Sequence, residues 1–125
     1  VLQGAAWRNL LIAAVDQSTV AHSREGVPQM IAYIVRFKSG LSDEDVLKMY
    51  NARAPQYRAL KGLIQKYYLR FPETGEHGAV YIWESEAALK EFRESELGRT
   101  ISTAYQIKDA SDVRTAEVVM TLRLN

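Results

Sequence analysis

The chain contains no cysteine, which excludes a disulfide framework, a cysteine-based zinc site, an iron–sulfur cluster and a thiol nucleophile together. A reducing compartment fits that composition. Charge of one sign is also missing: 16 basic and 15 acidic residues give a formal net charge of +1, so no electrostatic footprint for a nucleic-acid backbone or an anionic membrane is present. The longest apolar run, Leu10 to Val15, is far too short to span a bilayer and has neither a basic leader nor a small-residue cleavage pattern. These absences read as a soluble, cytoplasmic protein with no nucleic-acid and no membrane partner. Histidine is scarce. His22 and His77 form no HxH or HxxxH spacing, and no carboxylate stands at ligand spacing from them, so no metal site is expected. No glycine-rich loop joins a strand to a helix and no GxSxG elbow occurs, which removes phosphate-cradling nucleotide sites and that hydrolase class.

What is present suits one ordinary domain. At 125 residues, 47% hydrophobic and 25% charged, the chain can bury roughly two-thirds of its unfolded surface without metals or cross-links. Residues 1–29 differ from the rest, carrying no strand signal before Met30, which reads as the natural start. Within them Trp7, Leu10, Leu11, Ala14 and Val15 recur at helical spacing and predict an amphipathic helix over Ala5 to Asp16. Ser23 to Pro28 reads as a linker. Two readings stay open for this extension: an upstream segment docking opportunistically, or an arm covering a partner subunit.

From Met30 to Phe37 the residues are mostly β-branched or aromatic, as in a strand buried on both faces, and Ser39-Gly40 ends it. Ser42 followed by Asp43, Glu44 and Asp45 predicts a capped helix start. The buried side of that helix is predicted as Val46, Leu47, Tyr50, Ala54 and Tyr57, and Pro55 should kink or end it. Leu63 to Phe71 predicts a second strand, Pro72 to Glu76 a turn, and His77 to Trp83 a third strand. Ser85 caps a second helix through Ala88, Leu89 and Phe92. Gly98 is the expected break before a short helical stretch with Ile101, Ala104 and Tyr105, and Val113 to Leu124 is a long last strand.

The order over residues 30–125 is therefore βαββαβ, the ferredoxin-like α+β arrangement with an antiparallel four-stranded sheet and both helices on one face. Alternation tests the other face, because residues of one parity point one way. Ile31, Tyr33, Val35 and Phe37 are apolar, and so are Ala32 and Ile34 until Arg36. Val80 and Ile82 are apolar, and so are Ala79, Tyr81 and Trp83. Such a sheet needs a cover on its open face, and the economical one is a second copy, giving a homodimer through the sheet face. The N-terminal helix is the alternative cover.

Gly62 to Tyr68, Pro72 to Gly75, and Gly78 to Ser85 in this order, with the helix Ala87 to Gly98 after them, resemble the YdhR-like family of mono-oxygenases over essentially all of Met30 to Arg123. The resemblance implies a dimeric α/β barrel and oxidation of polyketide quinols without a cofactor, an activity itself inferred from distant relatives. It transfers no catalytic set.

Oxidation without a cofactor needs a substrate that ionises to a stabilised carbanion or phenolate, a base or hydrogen-bond partner to promote this, and an apolar pocket. Seven tyrosines and two tryptophans permit such a pocket around a small aromatic molecule. Lys66, Tyr68 and Arg70 alternate on the second strand and share a side, as do Tyr81 and Trp83 on the third, and the hairpin brings the strands together. Lys66 is the candidate base or anchor for an enolate, and Tyr81 or Tyr68 the candidate donor to a substrate carbonyl. Tyr33, Trp83 and Tyr105 are further candidates for touching substrate. The alternative is that these rings form core or dimer contacts and that Lys66 snorkels to water. His77 is a candidate general base, against a solvated turn residue. Arg36 is a candidate for an anionic substrate, against an ion pair with a carboxylate such as Glu117. His22 receives no role. Two functions result: a small oxidative or isomerising enzyme without metal or cofactor, or a non-catalytic dimeric ligand-binding or stress-associated module in which no titratable group is perturbed. A purely structural partner protein is the third option.

Overall fold

A computed structural model of the chain describes residues 29–109 and 111–123. The extension expected over residues 1–29 thus lies, apart from Gln29, outside the described residues. Four strands and four helical segments follow in the order β1 (Ile31–Phe37), α1 (Asp43–Arg58), β2 (Leu63–Phe71), β3 (Glu76–Trp83), α2 (Glu86–Glu94), α3 (Glu96–Arg99), α4 (Ile101–Ala104) and β4 (Asp112–Glu117). The sheet runs β2-β3-β1-β4 and every neighbouring pair is antiparallel. This is the ferredoxin-like α+β fold.

The capping signals act as their chemistry requires. Ser42 accepts a hydrogen bond from the Asp45 amide at 3.1 Å and Ser85 from the Ala88 amide at 3.1 Å, each satisfying a helix donor that has no carbonyl partner. At the β2–β3 hairpin, Gly75 takes the positive φ of 79° and its amide bonds the Phe71 carbonyl at 2.8 Å.

Two expectations are corrected and one is narrowed. Pro55 does not end α1, which continues to Arg58; Pro55 and Asn51 both lie on the exposed side, so the carbonyl freed by the missing N–H meets water. Leu47 is exposed rather than buried, since Val46 and Tyr57 take the inward positions. The break after α2 falls at Ser95, not Gly98. Ser95 closes one helix and opens the next, its hydroxyl donating to the Phe92 carbonyl at 2.6 Å and accepting from the Gly98 amide at 3.2 Å. Gly98 serves a different purpose, because a Cβ there would stand 2.2 Å from the Phe92 carbonyl oxygen.

The last strand is also shorter than expected. It ends at Glu117, and residues 118–123 lie beyond it, with Met120 and Leu122 among the most exposed apolar side chains described. Alternation predicted a strand there, but a period of two records only that a segment could pair, and β4 has β1 on one side and no described neighbour on the other.

Helices cover one face. Ile31, Tyr33, Ala79, Tyr81 and Trp83 pack with Tyr57, Leu89 and Phe92 in the main core, while Phe37, Val46 and Tyr105 form a second cluster. Ala32, Ile34, Val80 and Ile82, of the other parity, are half-buried on the opposite face, where Tyr67 is exposed. Among the described residues no helix is long and apolar enough to cross a membrane.

Candidate functional site

Register places the candidates. Tyr81 stands between Tyr33 on β1 and Lys66 on β2, and Ala79 is opposite Tyr68. Lys66, Tyr68, Tyr81, Tyr33 and Trp83 therefore share the face that the helices cover, which sequence parity alone left open. From above, α1 brings Tyr50, Arg53 and Tyr57, spaced three and four residues apart on one side of the helix.

Lys66 ends inside a cage of rings. Its Nζ lies 3.4 Å from the Tyr57 centroid and 4.4 Å from those of Tyr68 and Tyr81. Among the described residues no carboxylate pairs with it. Burial, and then the nearby Arg53 guanidinium, lower its pKa from the ordinary lysine value to about 7. The ring faces act in the opposite sense, since their negative quadrupoles favour an ammonium. The amine thus turns toward the rings, whereas the alternative had it snorkelling to water.

Several tyrosines of the cluster are shifted toward the protonated form. Burial, reinforced by Tyr57, raises Tyr81 well above its usual value, and burial raises Tyr68 and Tyr33. Burial also raises Tyr50 to about 12. Its ring packs at a tilt against Tyr68 at 4.2 Å and Tyr105 at 5.5 Å. Tyr105 thus joins the cluster through Tyr50, and burial raises its pKa too. Trp83 stacks on Tyr81 at 5.9 Å, and its indole N–H, like the Tyr50 hydroxyl, is buried with no partner among the described residues.

Two candidates lie elsewhere. Arg36 is on the opposite face, where its guanidinium bonds Glu76 at 2.8 Å and sits 4.1 Å from the Phe71 centroid. Its partner is thus a hairpin carboxylate, Glu76. His77 is on the helix face but four residues from Tyr81, about 13 Å along the strand. It is buried, not a solvated turn residue: Nε2 faces Asp43 Oδ1 at 3.1 Å, Nδ1 has no partner among the described residues, and the ring packs against Phe37. Asp43 also accepts from Arg70 at 2.9 Å, so His77 and Arg70 together fasten the first residue of α1 to the sheet.

A cleft of about 780 Å³ opens at the other edge of the same face, between α2 and β4, lined by Ile31, Leu89, Lys90, Arg93, Thr115 and Glu117 among others. Arg93 stands 5.8 Å from the Tyr33 ring, and Tyr33 lies 5.4 Å from Tyr81. A line of contacts therefore runs from the cleft through two rings to Lys66. Sequence reading missed Arg53, Tyr57 and Arg93 as site residues. Tyr57 had been assigned to the core by its spacing, and the arginines carry no signal until the helices are docked. Among the described residues no cluster of His, Asp and Glu could hold a metal ion.

No family model and no curated protein matches the chain. Solved structures do. A protein from Caulobacter crescentus provisionally named an antibiotic biosynthesis monooxygenase aligns with a TM-score of 0.61 at 17% identity, covering 79% of this chain and 99% of that one. SnoaB, a cofactor-independent oxygenase from Streptomyces nogalater, aligns with a TM-score of 0.57 at 12% identity, covering 77% and 97%. A dimeric ferredoxin-like protein of unknown function from Thermobifida fusca aligns with a TM-score of 0.61 at 10% identity, covering 73% and 92%. At these identities what is shared is the fold.

Proposed function

We propose that the chain is a cofactor-independent oxygenase acting on a planar aromatic, polyketide-like quinol or anthrone, as its YdhR-like resemblance implies. The observation that carries the reading is Lys66, an amine with no acidic partner among the described residues, lowered to about 7 and ringed by Tyr57, Tyr68 and Tyr81. A non-catalytic binding module has no need of such a group, so its presence favours the enzyme. The fold shared with SnoaB supports the same chemistry.

In this reading the substrate enters by the cleft and lies along the Tyr33–Tyr81 rings, with Arg93 at its outer end. Neutral Lys66 Nζ accepts the proton that ionises the substrate, and the protonated Tyr81 or Tyr68 donates to the oxygen on which negative charge develops. The resulting anion reduces dioxygen. For an anthrone the methylene carbon becomes a carbonyl, one oxygen atom enters the product and the other leaves as water with the two methylene hydrogens. Trp83 and Tyr105 wall the site; Arg36 and His77 serve the fold instead.

Oxygen uptake with a panel of hydroquinones, naphthols and anthrones tests this. The rate should rise with pH through about 7, where Lys66 loses its proton, and Lys66→Met should reduce kcat roughly 10²–10⁴-fold. Binding seen by fluorescence without oxygen uptake would instead establish the binding module.

A further inference from the structure

The oxygenase reading uses Lys66 only as a proton acceptor, yet its surroundings suit it to a second task. A surface lysine is an ammonium at neutral pH, strongly hydrated and without a lone pair to give. Lys66 differs in three respects of geometry. Its side chain is half-buried beneath α1, among the described residues it has no carboxylate to hold it as a cation, and it rises from β2, an edge strand. Tyr68 beside it is 38% exposed, so the cage can be reached from solvent along that edge.

The geometry points to Lys66 as a carbonyl-capturing amine, which forms an imine with planar aromatic aldehydes or ketones held between the tyrosine rings. The Nζ lone pair attacks the carbonyl carbon and opens the C=O bond, giving a carbinolamine. The nitrogen then loses its second proton and the oxygen departs, so that amine plus carbonyl yields C=N plus one water. No oxidant or cofactor enters the balance. The flat walls favour an aryl group over an alkyl chain, and Tyr57, whose ring centroid lies 3.4 Å from Nζ, carries a buried hydroxyl that can donate to the departing oxygen. The proposal rests on the same cage as the oxygenase reading but not on dioxygen.

The test is reductive trapping of the full chain with 6-methoxy-2-naphthaldehyde and sodium cyanoborohydride, performed without oxygen and read by intact mass and peptide mapping. At pH 7 a single adduct should form on Lys66, at a rate on the order of tenfold or more above that of any surface lysine, since these are almost wholly protonated there. The advantage should shrink as pH approaches 10. Labelling spread evenly over the lysines, or a Lys66 rate that climbs only near pH 10, would overturn the proposal. Both readouts use the wild-type chain, so they stand even if Lys66→Arg fails to fold. If it folds, loss of the selective adduct is expected, and its retention would also overturn the proposal. Selective trapping with no oxygen uptake from any quinol would leave carbonyl capture standing and remove the oxygenase; uptake without trapping would do the reverse.

Discussion

At the residue scale the balance around Lys66 has a thermodynamic consequence. Its folded-state pKa lies near 7 and its unfolded value near 10.5, so between these the unfolded chain binds more protons and stability rises with pH. The cost of burying the charge is fully present below about 7 and disappears above about 10.5. Replacing Lys66 by Met removes that cost while filling the same space. Lys66→Met should therefore melt a few degrees above the wild type at pH 6.5, with the gap closing as pH approaches 10; differential scanning calorimetry across this range checks it. A gap that widens with pH would mean that the ring faces outweigh desolvation. Sequence alternation brought Lys66, Tyr68 and Tyr81 together, because a period of two and a short hairpin suffice for that. It could not supply Tyr57, Arg53 or Arg93, since their places depend on how α1 and α2 lie across the sheet. Nor could it tell that Arg36 points away and that His77 holds a helix end.

At the scale of elements the sequence was most legible where local chemistry decides. Ser42 and Ser85 marked helix starts, and the Pro72–Gly75 turn marked a hairpin, because caps and turns are satisfied within a few residues. It was least legible where tertiary context decides. Pro55 is tolerated only because its side of α1 faces solvent, and β4 stops at Glu117 although alternation continues. Gly98 was noticed for the wrong reason: α3 continues through it, and its missing Cβ lets the chain pass the Phe92 carbonyl. Gly98→Ala should accordingly destabilise the fold by about 1–3 kcal/mol in urea titration, far beyond a helix-propensity change, which for this substitution has the opposite sign.

At the scale of the whole molecule the open sheet face calls for a cover. Ile34, Val80 and Ile82 sit there at intermediate burial beside exposed Tyr67, and the Thermobifida fusca protein of the same fold is dimeric. Pairing of two such faces is the arrangement expected here. Sedimentation equilibrium should give the mass of a dimer, and Val80→Asp combined with Ile82→Asp should give a monomer; a monomeric wild type would point to the extension as the cover. The cage, the cleft and the rings between them all lie on the helix-covered face, away from that junction. In a dimer joined through the open faces, each copy then keeps its own entrance and its own Lys66. Ligand titration should show two equivalent sites per assembly with a Hill coefficient of about 1, and dilution to monomers should alter capacity per chain not at all.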